Sequence, residues 1–259
     1  MNGVSLGLTD AGEGPAILFI HGYPLSRALW RHQVGQLAGW RSIAPDLRGM
    51  GASDAPDIGY SMATYAADLI ALLDALAIDR AVLCGLSMGG YVAFEFLRQA
   101  RARVRGLVLM ATRAEADSAE TRANREAAMR LARERGAAAV AETMVPRMLA
   151  PASLAACPEV VEEIRRLMAA TPVAGVVGAL SAMRDRPDST PDLEGLGGLP
   201  VLVLAGEGDQ LIPPGVMKRM SEQIPGSTFR LVEGAGHLIP LEQPDAVTRA
   251  IQGFLTNLG

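Results

Sequence analysis

Apolar residues along this chain follow two rhythms. Six short runs stay largely apolar through consecutive positions: ILFI at 17–20, RSIAPD at 41–46, AVLCGL at 81–86, VRGLVLM at 104–110, PVLVLAGE at 200–207 and STFRLVE at 227–233. Apolar runs of this length, separated by helical patterns, predict strands buried on both faces, as in a parallel sheet. Between the second and third, Tyr65, Leu69, Leu72, Leu73 and Leu76 recur at helical intervals within 64–77 and predict a helix covering that sheet. Strands alternating with helices predict an α/β fold.

The rhythm breaks between Arg113 and Asp188. That stretch is rich in Ala, Arg, Glu and Met and holds no strand-like run, and Pro146, Pro151, Pro158 and Pro172 are expected to cut it into short helices. Strand character resumes at Leu199. The expected organisation is a core made from residues 1–112 and 189–259, with a helical cap at 113–188 inserted between core strands. Arg122, Arg125, Arg130, Arg133 and Arg135, interleaved with Glu126 and Glu134, read as a solvated helix face.

In an open α/β sheet ligands sit beyond the carboxyl ends of the strands. Here those ends carry His21, Asp46, Ser87, Asp209 and His237. Ser87 stands in Gly85-Leu86-Ser87-Met88-Gly89, directly after a strand and before a helix pattern, which is the setting a G-x-S-x-G turn requires. The helix N-terminus brings free N–H groups and a positive dipole end to that hydroxyl. A serine needs a base to take its proton and an acid to orient the base. The chain has three histidines. His32 lies in a helical pattern and reads as a surface or packing residue. His237 follows the last strand, and Asp209 the one before it, so the order is Ser87, Asp209, His237.

The 259 residues are 49% hydrophobic, enough for one large α/β core. A formal charge of −4, from 24 basic and 28 acidic residues, argues against a nucleic-acid partner. Cys84 and Cys157 match no metal-ligand spacing, and Cys84 reads as a buried, inert thiol. No metal or cofactor is expected. With no basic start followed by an apolar stretch, and no apolar run near the roughly 18 residues of a membrane span, a cytoplasmic protein with no membrane partner is expected. The oligomeric state is left open.

Five segments in register resemble the α/β-hydrolase superfamily along nearly the whole chain. HGYPLSRALW is similar to its oxyanion loop, APDLRGMGASDAP to the segment after the next core strand, and GLSMGG to its nucleophile elbow. GEGDQLIPP is similar to its acid loop and GAGHLIPLEQPDAV to its histidine loop. The resemblance implies a Ser87–Asp209–His237 triad and an oxyanion hole made by the backbone N–H groups of Tyr23 and Met88, with His21 shaping the loop. It departs at Met50, where His or Phe is more usual, and at the N-terminus, where the first strand is expected to be short or absent. A serine at the elbow, in place of the aspartate of haloalkane dehalogenases and epoxide hydrolases, implies an acyl-enzyme. The branch most similar holds small carboxylesterases and 3-oxoadipate enol-lactonases. Related perhydrolase-type haloperoxidases and a non-catalytic ligand receptor are the remaining alternatives. Hydrolysis of a small-molecule ester or lactone is therefore expected. Trp30, Met110, Thr112, Met144, Met148, Leu149, Leu238 and Ile239 are candidates to line an apolar pocket, whereas Arg113, Arg147 and Arg184 are expected at the solvated surface.

Overall fold

The computed structural model describes residues 2–258. Seven strands form one sheet: β1 (Leu8–Ala11), β2 (Ala16–Ile20), β3 (Arg41–Pro45), β4 (Ala81–Leu86), β5 (Val104–Met110), β6 (Val201–Gly206) and β7 (Thr228–Val232). Their order is β1-β3-β2-β4-β5-β6-β7, and every pairing is parallel except that of β1 with β3. The first strand is thus present, and it is short.

Each buried strand divides its residues between two cores. From β2, Leu18 and Ile20 join the core that contains Leu69, Leu72, Val92 and Phe96, while Ile17 and Phe19 join the opposite core with Val247, Ile251 and Leu255. Side chains alternate across a strand, so a sheet covered on both faces needs apolar residues at every position. The first core is closed by α1 (Met62–Ala75) and α2 (Met88–Ala100). Strand β7 departs from this pattern: it lies at the sheet edge, and Thr228, Arg230 and Leu231 are exposed.

Between β5 and β6 the chain forms α3 (Ala119–Met148), α4 (Pro151–Ala156), α5 (Pro158–Ala169) and α6 (Val173–Arg184). Ser118 caps α3 by accepting the Thr121 amide at 3.2 Å. Pro151 and Pro158 open α4 and α5, and Pro172 immediately precedes α6, as expected. Pro146 does not cut α3. It lies in the last turn, and the break falls instead at Gly136, whose φ of 79° and ψ of 175° are those of no helix. Glycine reaches that region without the Cβ clash that bars other residues. Three further helices, α7 (Pro214–Glu222), α8 (Ile239–Glu242) and α9 (Pro244–Thr256), follow β6 and β7. Among the described residues no single helix is long and apolar enough to cross a membrane.

Candidate active site

Ser87 joins β4 to α2 with φ 55° and ψ −113°, a conformation that costs a non-glycine residue energy and must be imposed by its surroundings. Its amide donates to Met110 O at 2.8 Å, and its carbonyl accepts from Gly90 N at 2.9 Å and Thr112 Oγ1 at 2.8 Å. The flanking glycines are required by contact. A Cβ on Gly85 would lie 2.4 Å from Gly89 O, and one on Gly89 would lie 2.1 Å from Ile20 O. The turn is clamped from both neighbouring strands, and Ser87 is its one residue not fully buried.

Strands β6 and β7 run side by side, so the loops leaving them meet. Asp209 follows β6 and His237 follows β7, and both are buried, 5% and 3% exposed. Nδ1 of His237 lies 2.8 Å from Asp209 Oδ2, and Asp209 Oδ1 accepts the amides of Leu211 and Ile212 at 2.8 and 2.9 Å. A carboxylate has only acceptors, so Nδ1 carries a proton, and in the neutral tautomer this leaves the lone pair on Nε2. Ser87 and His237 both line a cavity of about 320 Å³. The Ser87 hydroxyl makes no hydrogen bond to the imidazole in this arrangement; such contacts commonly tighten only when substrate binds.

The loop after β2 lies against the elbow. A Cβ on Gly22 would sit 3.4 Å from Ser87 Cβ and 3.0 Å from Leu86 Cδ2. Among the described residues the amides of Tyr23 and Met88 donate to no acceptor. His21 is committed elsewhere: its Nδ1 donates to Gly22 O and its Nε2 accepts the Leu47 amide, both at 2.9 Å. Burial lowers its pKa, which keeps the ring neutral in this bridging role. Asp46 accepts the amides of Arg27 and Ala52 at 2.7 and 2.8 Å, so this strand-end carboxylate is spent on tying its own loop to the segment after β2. His32 is exposed.

Of the pocket candidates, Met144 and Met148 line the cavity and six others do not. Met110 and Thr112 lie behind Ser87 and hold its backbone. Trp30 packs on Phe19, with ring centroids 4.9 Å apart, in the same core that takes Leu149, Leu238 and Ile239. Met50 is also fully buried in a core. The cavity wall is instead partly polar. Tyr23, Tyr91, Arg113, Asp117, Arg125 and Arg147 belong to it; this corrects the surface placement of Arg113 and Arg125, which are half-buried, whereas Arg147 is exposed as expected and stands at the cavity rim. Arg184 does lie outside, paired with Asp185 at 2.6 Å. Burial alone would raise the Asp117 pKa, but the Arg125 and Arg186 guanidiniums paired with it hold the carboxyl below the usual range. Arg186 also stacks 4.0 Å above the Tyr91 ring. A lone arginine between Met110 and the helical stretch was the available sequence signal for Arg113; its inward direction is set by Leu211 O, which accepts from Nη2 at 3.3 Å.

Residues 15–244 match the family model for the alpha/beta hydrolase fold. The chain is 29% identical to 3-oxoadipate enol-lactonase 2 of Acinetobacter baylyi over 97% of its length and 93% of that protein. Among solved structures it is similar to a thermophilic esterase from Thermogutta terrifontis, determined with malate bound, with 42% identity, a TM-score of 0.96 and coverage of 98% and 94% of the two chains. It is also similar to the enol-lactonase of Burkholderia xenovorans, with 28% identity, a TM-score of 0.91 and 98% coverage of each chain. The chain belongs to the alpha/beta hydrolase family.

Proposed function

We propose that this protein hydrolyses carboxylic esters of small acyl groups through an acyl-enzyme on Ser87, with residues 113–188 acting as a cap over the site. The observation that carries the proposal is the Asp209-oriented imidazole of His237 sharing one cavity with the Ser87 side chain. His237 Nε2 takes the hydroxyl proton as Oγ attacks the acyl carbon. The oxygen that gains charge is received by the free amides of Tyr23 and Met88. The imidazolium, stabilised by Asp209, then gives its proton to the leaving alcohol. Water enters, loses a proton to Nε2 and attacks the acyl carbon, which frees the acid and returns the proton to Ser87 Oγ. No cofactor takes part.

A second reading, lactone hydrolysis by the same atoms, is favoured by the arginines in the cavity wall. Arg113, Arg125 and Arg147 against Asp117 leave the wall net positive, suited to a ring or acyl chain that carries a carboxylate. The names of the similar proteins, an esterase and two enol-lactonases, span both readings. A kcat/KM panel separates them: p-nitrophenyl acetate through octanoate, an ester carrying a distal carboxylate, and an enol-lactone. The ester reading expects neutral short acyl esters to lead. Lactone turnover exceeding every ester by tenfold or more would transfer the assignment.

A further inference from the structure

Three consecutive amides of the loop that carries His237 are fixed from outside the loop. His237 N and Leu238 N both donate to Met148 O at 3.1 Å, and Gly236 N donates to Glu242 Oε1 at 2.9 Å. The other carboxylate oxygen, Oε2, accepts the Ala150 amide at 2.8 Å. Glu242 therefore bridges the histidine loop and the link between α3 and α4, at the point where the inserted helices return to the strand ends. The two backbones touch there. A Cβ on Gly236 would lie 2.3 Å from Ala150 N. Burial raises the Glu242 pKa, opposed by the donors of Ala150, Ser153, Gly236 and Leu238.

The Asp209 contact holds the imidazole at one edge only. About that single hydrogen bond the ring can still tilt, and the tilt decides where Nε2 points. That direction also depends on where the backbone holds the His237 Cα, and the amides of residues 236–238 are held by two acceptors: the Met148 carbonyl, which ends α3, and the Glu242 carboxylate. Only a side chain with two acceptor oxygens satisfies both the Gly236 and Ala150 amides. Glutamine in the same pose presents an NH₂ to one of them.

We propose that Glu242 is a positioning residue for the reaction: by tying Gly236 to Ala150 it sets the direction in which His237 Nε2 faces Ser87. This rests on the reading of Ser87, Asp209 and His237 as the reacting set. A displacement of about 1 Å in such a set is worth roughly 10²-fold in rate.

The test compares wild type with Glu242→Gln and Glu242→Asp in three readouts: kcat and KM on p-nitrophenyl butyrate, the rate of Ser87 labelling by a fluorophosphonate, and the melting temperature. Glu242→Gln is expected to lower kcat about 10- to 100-fold, to slow labelling in proportion and to leave KM within about twofold. Glu242→Asp, which keeps two acceptors on a shorter stem, is expected to recover part of the loss. If Glu242→Gln does not fold, the Asp variant decides, with a kcat at least about threefold below wild type expected. A folded Gln variant with wild-type kcat and labelling rate overturns the proposal, as does a loss confined to KM or an Asp variant indistinguishable from wild type. Wild type that is active yet unlabelled at Ser87 overturns the reading of the site itself, and the role of Glu242 falls with it.

Discussion

Asp209 spends both carboxylate oxygens: Oδ2 lies 2.8 Å from His237 Nδ1, while Oδ1 accepts two successive amides at 2.8 and 2.9 Å. Asparagine cannot fill both roles, because its NH₂ must face either the imidazole N–H or the two amides. Asp209→Asn is therefore expected to favour the wrong imidazole tautomer and to lower kcat by a factor on the order of 10⁴. Steady-state kinetics on p-nitrophenyl butyrate checks this. Turnover within tenfold of wild type would remove Asp209 from its proposed role.

The meeting of these two loops was legible in the sequence because two strand ends, each followed by a polar residue in a Gly-rich turn, must lie at one edge of a parallel sheet. The strand runs at 81–86 and 104–110 match β4 and β5 to the residue, since every position except Arg105 is buried. The cavity wall was not legible. Apolar character does not separate Trp30 or Ile239, which only fill a core, from Met144 and Met148, which pack on that core and also line the cavity. Charge likewise does not tell a solvated arginine from Arg113, whose direction depends on a carbonyl distant in sequence. The break in α3 falls at Gly136, with its positive φ, where Pro146 was expected to act; Pro146 stands in the last turn, and the helix ends two residues after it.

Arg113 Nε is buried without a hydrogen-bond partner, beside a cavity that Arg125 and Arg147 also line. A hydrogen bond to a charged group is worth about 1.5–3 kcal/mol. Arg113→Met is expected to lower kcat/KM for an ester carrying a distal carboxylate by about 10- to 100-fold, with neutral esters changed little. Equal losses on charged and neutral esters would make Arg113 a brace of the Leu211 loop only.

Asp117 is buried between Arg125 and Arg186, and removing its charge strands a nearly buried guanidinium. Asp117→Asn is expected to cost roughly 3–5 kcal/mol near neutral pH. The native pKa of Asp117 lies below its unfolded value, so the unfolded chain takes up the proton first as pH falls. The stabilisation is full above the ordinary aspartate range, about pH 4, and is lost as pH drops through the lower native value. Urea unfolding from pH 7 to pH 2.5 should show the gap between wild type and variant closing at the acid end. A gap that stays constant would contradict the assignment.

Gly89 and Gly253 both lie in helices and should respond oppositely to alanine. A Cβ on Gly89 meets Ile20 O at 2.1 Å, whereas one on Gly253 meets nothing within 4 Å. Gly253→Ala is expected to stabilise the chain by about 0.5–1 kcal/mol. Gly89→Ala should push α2 off the end of β2 and lower both stability and turnover. Thermal melts of the two variants decide, and a Gly89 variant with wild-type melting temperature and activity would refute the packing argument.

The central claim is that one hydroxyl becomes covalently acylated during turnover. A fluorophosphonate is attacked by that same nucleophile, with loss of fluoride, so intact-mass spectrometry with peptide mapping after treatment identifies the hydroxyl. The account expects a single adduct on the peptide containing residue 87, loss of hydrolysis in step with labelling, and neither labelling nor turnover in Ser87→Ala. Hydrolysis that survives in Ser87→Ala, or an adduct mapped to another side chain, would contradict it.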